Sequence, residues 1–324
     1  MKIIHREFLE TSTKTCHAAT VEIYNGEPVF SWFGGSREGE ADSNIYVQKN
    51  GKVFSEDKRD QIPRWNPILF EIEDRLFLFT KRGIFCDRWQ TFVQEISSDD
   101  SLKNELGKSK YQQVIPAGLN GPVKTRPVVN DGLIYCGASV ETSWDWSSYI
   151  EVYVFRDGKF EYVNRSSPLT VDKVEYTHPF YKSKLMTQGI IQPSIWTDKY
   201  EHMHAVFRSS NGLGVIYSSD YNGLRWLDPV NTDLPNPNSG VDTVYYDESL
   251  FIVYNPSERL RSPLIIGKFA EDFEIEDQIV ITKDLPEGCF SQELSYPYMI
   301  ERDGIIHLCY TYGRSKIEYV QVKI

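Results

Sequence analysis

Apolar and polar positions in this chain alternate in short bursts rather than at helical spacing. Six times an apolar run meets a brief polar turn and a second apolar run follows: "ATVEIYNGEPVFSWF", "PILFEIEDRLFLF", "PVVNDGLIYCGAS", "PSIWTDKYEHMHAVF", "DTVYYDESLFIVY" and "PYMIERDGIIHLCY". Each reads as a β-hairpin. Asn25-Gly26, Asp131-Gly132 and Asp303-Gly304 supply the positive φ that tight hairpin turns need. The hairpins open on His17, Asn66, Arg126, Gln192, Asp242 and Tyr296, at intervals of 49, 60, 66, 50 and 54 residues. Four of these precede proline, at Pro67, Pro127, Pro193 and Pro297. Proline holds its predecessor extended and removes one ladder donor, which suits the first residue of a strand. A period of about 55 residues accommodates four strands. The pattern therefore predicts an all-β fold, a six-bladed β-propeller spanning residues 1–324 as a single domain. "SKIEYVQVKI" supplies a late strand of the last blade, and "KIIHREFL" its outermost strand, so the N-terminus closes the ring. A two-sheet sandwich is the other all-β arrangement, but sandwiches do not repeat at this length.

Composition narrows the partners. Hydrophobic residues are 40% and charged residues 25%, enough for a packed core. Aromatics at 14% suit both a buried β core and planar or sugar-like ligands. A net charge of −11 argues against nucleic acid, whose phosphates want a basic face. It leaves room for a small anion, which meets only local charge. The five cysteines are scattered, with no CxxC, and read as free thiols in a reducing compartment. "MKIIHREFLE" has no apolar leader, and no run reaches the roughly 18 apolar residues of a membrane span. The expectation is a cytoplasmic protein with no membrane partner, secreted only if a leader has been lost.

In a propeller the first strand of each blade lines the central channel, so the six opening residues should converge at one mouth. The second strands return to the same face and end at Arg37, Lys81-Arg82, Ser139 with Glu141, Arg208, Tyr254-Asn255, and Tyr310 with Tyr312. That mouth is rich in arginine, tyrosine and amide groups on an acidic protein. Lys124, two residues before Arg126, either extends the anion site or forms a salt bridge between blades. Asn236, Asn238 and Asp242 suit sugar hydroxyls and equally suit Asx turns. Trp65 and Trp144 suit stacking on a sugar ring or wedging between blades. His202 and His204 share a strand face, but no third ligand stands at useful spacing, so blade packing is expected rather than a metal. Cys16 and His17, as strand neighbours, point to opposite faces and do not form a nucleophile pair. "GPVKT" lacks the glycines of a phosphate loop. No cofactor is expected.

The chain resembles the BNR-repeat, sialidase-like six-bladed propellers over nearly its whole length. The resemblance rests on "CHAATVEIYNGEPVFSWFGGSREGEAD", "WNPILF", "GLNGPVKTRPVV", "CGASVE", "IIQPSIW", "FRSSNGLGVIYSSD", "LPNPNSGVDTV", "YNPSERLRSPL" and "SYPYMIERDGIIHLCYTYGRSKIEYV". The Asp-box of that family survives as one degenerate copy, "SSDYNGLRW" at 218–226. The resemblance implies that Asp42, in the loop "SREGEAD" after the first hairpin, is the catalytic acid/base. It implies that Tyr296 is the nucleophile and that Arg208 and Arg261 belong to a three-arginine clamp for the substrate carboxylate. Arg37 matches an additional arginine beside the acid loop. Two positions depart from the pattern: His17 stands where the first clamp arginine belongs, and Gln192 where a glutamate takes the tyrosine proton. Histidine is neither permanently charged nor bidentate, and glutamine accepts no proton.

Three functions are consistent with these residues. The first is a sialidase-like glycoside hydrolase of non-standard specificity: Asp42 as acid, Tyr296 attacking or stabilising the anomeric carbon, and Glu141 as substitute base. The second is a polysaccharide lyase that cleaves a uronate-containing glycan by β-elimination. There Gln192 with Arg208 or Arg126 neutralises the carboxylate, and His17 and Tyr296 act as base and acid. The third is a non-catalytic glycan-binding propeller. In all three the partner is an acidic oligosaccharide or polysaccharide, with Arg37, Arg208, Arg261, Arg126, Lys124, Asn66, Asp242 and Tyr312 as binding groups.

Overall fold

A computed structural model describes residues 1–178, 181–220, 225–284 and 287–324. Six four-stranded antiparallel sheets follow one another in the chain, at 15–55, 64–114, 128–165, 190–231, 242–282 and 294–323. They are called blades 1 to 6. The sixth has only three strands of its own; Lys2–Phe8 pairs with Lys316–Lys323 and completes it. The predicted six-bladed ring and its N-terminal closure are thus both present. An extra hairpin, Glu175–Thr177 with Lys184–Met186, sits between blades 3 and 4. The Asp-box copy at 218–226 runs through 221–224, which lie outside the described residues.

The inner strands carry the feature that positions the site. In blades 1, 2, 4 and 6 the first hairpin ladder slips between His17 and Thr20, Trp65 and Ile68, Ile191 and Ser194, and Ser295 and Tyr298. Each slip is a β-bulge, and its central residue is left-handed: Ala18 (φ 51°), Asn66 (34°), Gln192 (56°) and Tyr296 (51°). The expectation that proline holds these residues extended is therefore wrong for Asn66, Gln192 and Tyr296. The bulge inserts one extra residue, and a positive φ absorbs the kink. A non-glycine residue there costs about 1–2 kcal/mol, a strain that persists only where the surroundings fix it.

Register also corrects the ring of opening residues. The pairs Thr20↔Ser31, Ile68↔Phe79, Ser194↔Val206, Asp242↔Val253 and Tyr298↔Cys309 form one layer. Asp242 thus lies a layer below Asn66, Gln192 and Tyr296, and Arg126, two residues before the Val128↔Tyr135 pair, lies with it. Ala18, not His17, is the register equivalent of Tyr296. This lower layer fills the channel: Ser194 Oγ donates to Asp242 Oδ1 at 2.7 Å, and Tyr298 donates across to the Leu69 carbonyl at 3.2 Å.

Candidate functional site

Two bulges, on blades 4 and 6, bring Gln192 and Tyr296 together at the mouth. The Gln192 amide donates to the Tyr296 hydroxyl at 3.0 Å and to Glu141 Oε1 at 3.4 Å. Its carbonyl accepts from Arg208 Nη1 at 3.1 Å, and that same nitrogen lies 3.3 Å from the tyrosine oxygen. The amide orientation is fixed by its neighbours. Reversing it would set NH2 against the guanidinium and the carbonyl against the carboxylate. Tyr296 therefore receives two hydrogen bonds and keeps its own proton for a ligand. Burial raises the Tyr296 phenol above its ordinary value; Arg208 and the Gln192 bond oppose this, and Glu141 reinforces it. Burial likewise raises the Glu141 carboxyl, against Arg208 and the bonds from Ser139 and Gln192.

His17 packs its ring on Tyr296, centroid to centroid 4.2 Å, and edge-on against Phe33. It is buried, and neither ring nitrogen has a hydrogen-bond partner. Burial pushes its pKa well below 6.5, helped by the charges of Arg314, Arg261, Arg208 and Lys124. The imidazole is neutral in the fold. Below pH 6.5 the unfolded chain binds a proton that the folded chain refuses, so stability is present above that pH and falls as pH drops through it. Burial gives His204 and His307 the same sign. Urea midpoints measured between pH 7.5 and 5 should fall with pH, and His17→Phe should remove about one proton from the slope. An unchanged slope in that variant would mean His17 protonates in the fold.

Three arginines form a linked arc above this pair. Arg208 Nε donates to Asn238 Oδ1 at 3.0 Å, and Arg261 Nη2 to the Asn238 carbonyl at 2.7 Å. Glu293 then joins Arg261, at 3.3 Å, to Arg314, at 2.8 Å. Arg314 was not anticipated from the sequence. It stands in the turn "YGRS" between two strands of blade 6 with φ 54°, where an arginine reads as a solvated turn residue. Asn238 and Glu293 also gain roles: they fix the spacing of the three guanidinium groups.

The loop "SREGEAD" flanks the arc. Asp42 is exposed and accepts from the Ser36 backbone N–H at 2.8 Å and from its hydroxyl at 2.9 Å, which closes the loop. Glu38 pairs with Arg314, tying the loop to blade 6. Arg37 is exposed on the same loop. Gly39 lies against Trp65, whose indole N–H donates to Gly83 at 2.7 Å. Trp65 is thus a wedge between loops, while Trp144 is exposed.

Other sequence candidates lie elsewhere. Arg126 pairs at 3.0 Å with Glu22, which also holds Arg302, in the layer below the mouth. Asp242 is buried with both oxygens occupied, by Ser194 and Thr243 on one and by the Met299 N–H on the other. Asn66 donates to the Val123 carbonyl at 3.0 Å. Lys124 is buried, with its ammonium on the Val241 and Pro297 carbonyls, and forms the floor beneath Tyr296. Tyr312 packs on Phe8 at the outer edge of blade 6. Arg126, Asp242, Asn66 and Lys124 are engaged between blades, and Tyr312 packs within blade 6, so the structure gathers none of the five with the arginine arc. His204 is taken up by Tyr217 at 2.7 Å and Asp198 at 3.1 Å.

No curated protein matches the sequence. A structure from Dyadobacter fermentans, of unknown function, is 11% identical with a TM-score of 0.70, and the match covers 100% of this chain and 99% of that one. The Hadza microbial sialidase Hz136 is 10% identical, TM-score 0.70, covering 96% and 66%. Trypanosoma rangeli sialidase in complex with sialic acid is 9% identical, TM-score 0.63, covering 99% and 57%. The chain therefore spans only part of the length of these sialidases, and at such identities the likeness is one of fold. The sequence pattern of the BNR repeat-like domain covers residues 27–308. The chain belongs to the BNR repeat-like domain family, with the six-bladed architecture of the sialidase propellers.

Proposed function

We propose that the protein is a carbohydrate-active enzyme that binds a carboxylate-bearing sugar at the propeller mouth and cleaves its glycosidic bond as a sialidase-like hydrolase of non-standard specificity. The observation that carries this reading is the arc of Arg208, Arg261 and Arg314 beside the Tyr296 hydroxyl. Guanidinium groups held at fixed spacing match carboxylate oxygens bidentately. Arg314 supplies the third cation that His17 cannot. With the carboxylate on the arc, the anomeric carbon faces Tyr296, which attacks it or stabilises its positive charge. Asp42, on the loop latched by Glu38, protonates the leaving oxygen. Gln192 can neither take the tyrosine proton nor relay it, because its NH2 donates to both neighbours; Glu141, made more basic by burial and held against the same amide, is the base that receives the proton directly as Tyr296 turns from the amide to attack.

One observation favours a second reading, β-elimination from a uronate. A neutral His17 with no hydrogen-bond partner, its ring tilted against Tyr296 at 4.2 Å, is a base next to an acid. His17 would take the proton α to the carboxylate, and Tyr296 would protonate the departing oxygen. Incubation with sialylated and uronate-containing oligosaccharides separates the two. A new reducing end alone is expected. A reducing end with near-ultraviolet absorbance from an unsaturated uronate replaces hydrolysis by elimination. Saturable binding without either product overturns both.

A further inference from the structure

The most exposed large apolar side chains among the described residues are Tyr181, Trp144, Ile84, Tyr200 and Phe85, from 81% down to 61%. Only Tyr200 lies on the hairpin-turn face opposite the mouth. Ile84 and Phe85 lie on the loop after the second strand of blade 2, Trp144 on the loop that follows Glu141 in blade 3, and Tyr181 between the two strands of the 175–186 hairpin. The blade 2 and blade 3 loops are not slack. In the loop 142–146, Thr142 Oγ accepts from the Asp145 N–H at 2.9 Å, and the Thr142 N–H donates to the Asp145 carbonyl at 3.0 Å. The Trp146 indole returns to the Thr142 carbonyl at 3.0 Å, and Lys173 clamps Asp145 at 2.7 Å. The blade 2 loop is anchored by Trp65 on the Gly83 carbonyl and by Trp89 packed 5.4 Å from Trp65. Its Cys86 packs inward, in the same cluster as Tyr296, so Phe85 faces out.

An aromatic ring held out in water on an anchored loop contributes nothing to the core and forgoes the stabilisation that burial would bring. Loops positioned by a rigid scaffold beside a site are where binding contacts are made. Phe85, with Ile84 beside it, and Trp144 stand on separate loops whose neighbouring positions are the polar Asp87, Arg88, Glu141 and Thr142, rather than as the continuous apolar centre of a protein interface. Isolated rings interleaved with polar groups fit the alternating apolar faces and hydroxyl edges of a saccharide chain. We infer that Phe85 and Trp144 are stacking platforms for the sugar units that follow the acidic one, so that the ligand is an oligosaccharide lying from the arginine arc across blades 2 and 3. This rests on the reading of the mouth as an acidic-sugar site.

The test compares an acidic monosaccharide with an oligosaccharide carrying the same unit, and a neutral oligosaccharide as a third probe, by calorimetry on the wild type, Trp144→Ala and Phe85→Ala. Each substitution should weaken oligosaccharide binding roughly 3- to 10-fold while the monosaccharide affinity stays put. Oligosaccharide, but not monosaccharide, should quench tryptophan fluorescence in the wild type and not in Trp144→Ala. Oligosaccharide binding that survives both substitutions unchanged overturns the platforms, even if the mouth binds the acidic sugar. Trp144-dependent oligosaccharide binding with no affinity for the acidic monosaccharide keeps the platforms and removes the acidic mouth. Both side chains are exposed, so melting temperatures should match the wild type.

Discussion

Replacing Tyr296 by phenylalanine is expected to abolish turnover, by at least roughly 10³-fold, while leaving the acidic sugar bound. The substitution removes one oxygen. Under hydrolysis that oxygen is the nucleophile or the group that stabilises the anomeric cation; under elimination it is the acid. Neither role survives in phenylalanine. The arginine arc is untouched, since Arg208, Arg261 and Arg314 are spaced by Asn238 and Glu293, so affinity should change only a few-fold. Folding should survive as well. The Gln192 amide retains Glu141, and Arg208 retains the Gln192 carbonyl, so only the one Gln192 N–H that met the tyrosine oxygen loses its acceptor and the cost is about 1–3 kcal/mol. Product formation is measured by reducing-end assay and binding by calorimetry. Undiminished turnover would remove Tyr296 from the chemistry and leave the proposed function without its reactive group. The same geometry accounts for the amide at Gln192. A glutamate there would face Glu141 across about the 3.4 Å that now separates amide from carboxylate, and two buried carboxylates at that range cannot both ionise.

The fold was legible because local chemistry repeats with the blades: Asn-Gly and Asp-Gly at hairpin turns, X-Pro at inner strands. Register was legible only where proline marks the bulge. At Ala18-Ala19, Lys124-Thr125 and Gly240-Val241 no proline follows the bulge position, and the alignment slipped. It slipped by two at Arg126 and Asp242, a shift that alternation cannot detect, because residues two apart face the same way. At His17 it slipped by one, which an extra bulge residue conceals. Even so, His17 lands on Tyr296, because a bulge redirects the side chains beside it. Gln192, Tyr296, Arg208 and Glu141 are legible from strand ends, whereas Arg261, in the loop between two strands of blade 5, enters only through the family resemblance. Arg314 is legible from neither, since its value comes from ring closure: it meets Glu38, which is 276 residues away in the chain. No local pattern encodes a contact made only when the last blade docks on the first.

Replacing Asp242 by alanine is expected to destabilise the fold by about 3–5 kcal/mol, the cost of stripping a buried charge of its partner. Asp242 is the counter-charge of Lys124, whose ammonium is otherwise held only by the carbonyls of Val241 and Pro297. Its loss also leaves the Met299 N–H short of an acceptor in the channel, while Ser194 Oγ keeps only the Thr243 hydroxyl at 2.7 Å. Burial already lowers Lys124 from 10.5 to about 8 against the attraction of Asp242. Between those two values the unfolded chain holds a proton that the folded chain has released, so this residue makes stability rise with pH there. Without Asp242 the folded pKa drops further, and the rising window opens at lower pH. The deficit of the variant must therefore be larger at pH 6, where Lys124 is forced to stay charged or give up its proton at a cost, than at pH 9, where the wild type has largely released it too. Asp242→Asn, which keeps a side chain to meet Ser194, should show the same pH signature with a smaller loss. Removing both charges, Lys124→Met with Asp242→Leu, should recover much of the stability, because a buried pair is worth little more than the apolar contacts that replace it. Urea midpoints at the two pH values read all four proteins. An equal deficit at pH 6 and pH 9 would show that Asp242 holds the blades through its hydrogen bonds alone, and that the floor of the site carries no charge.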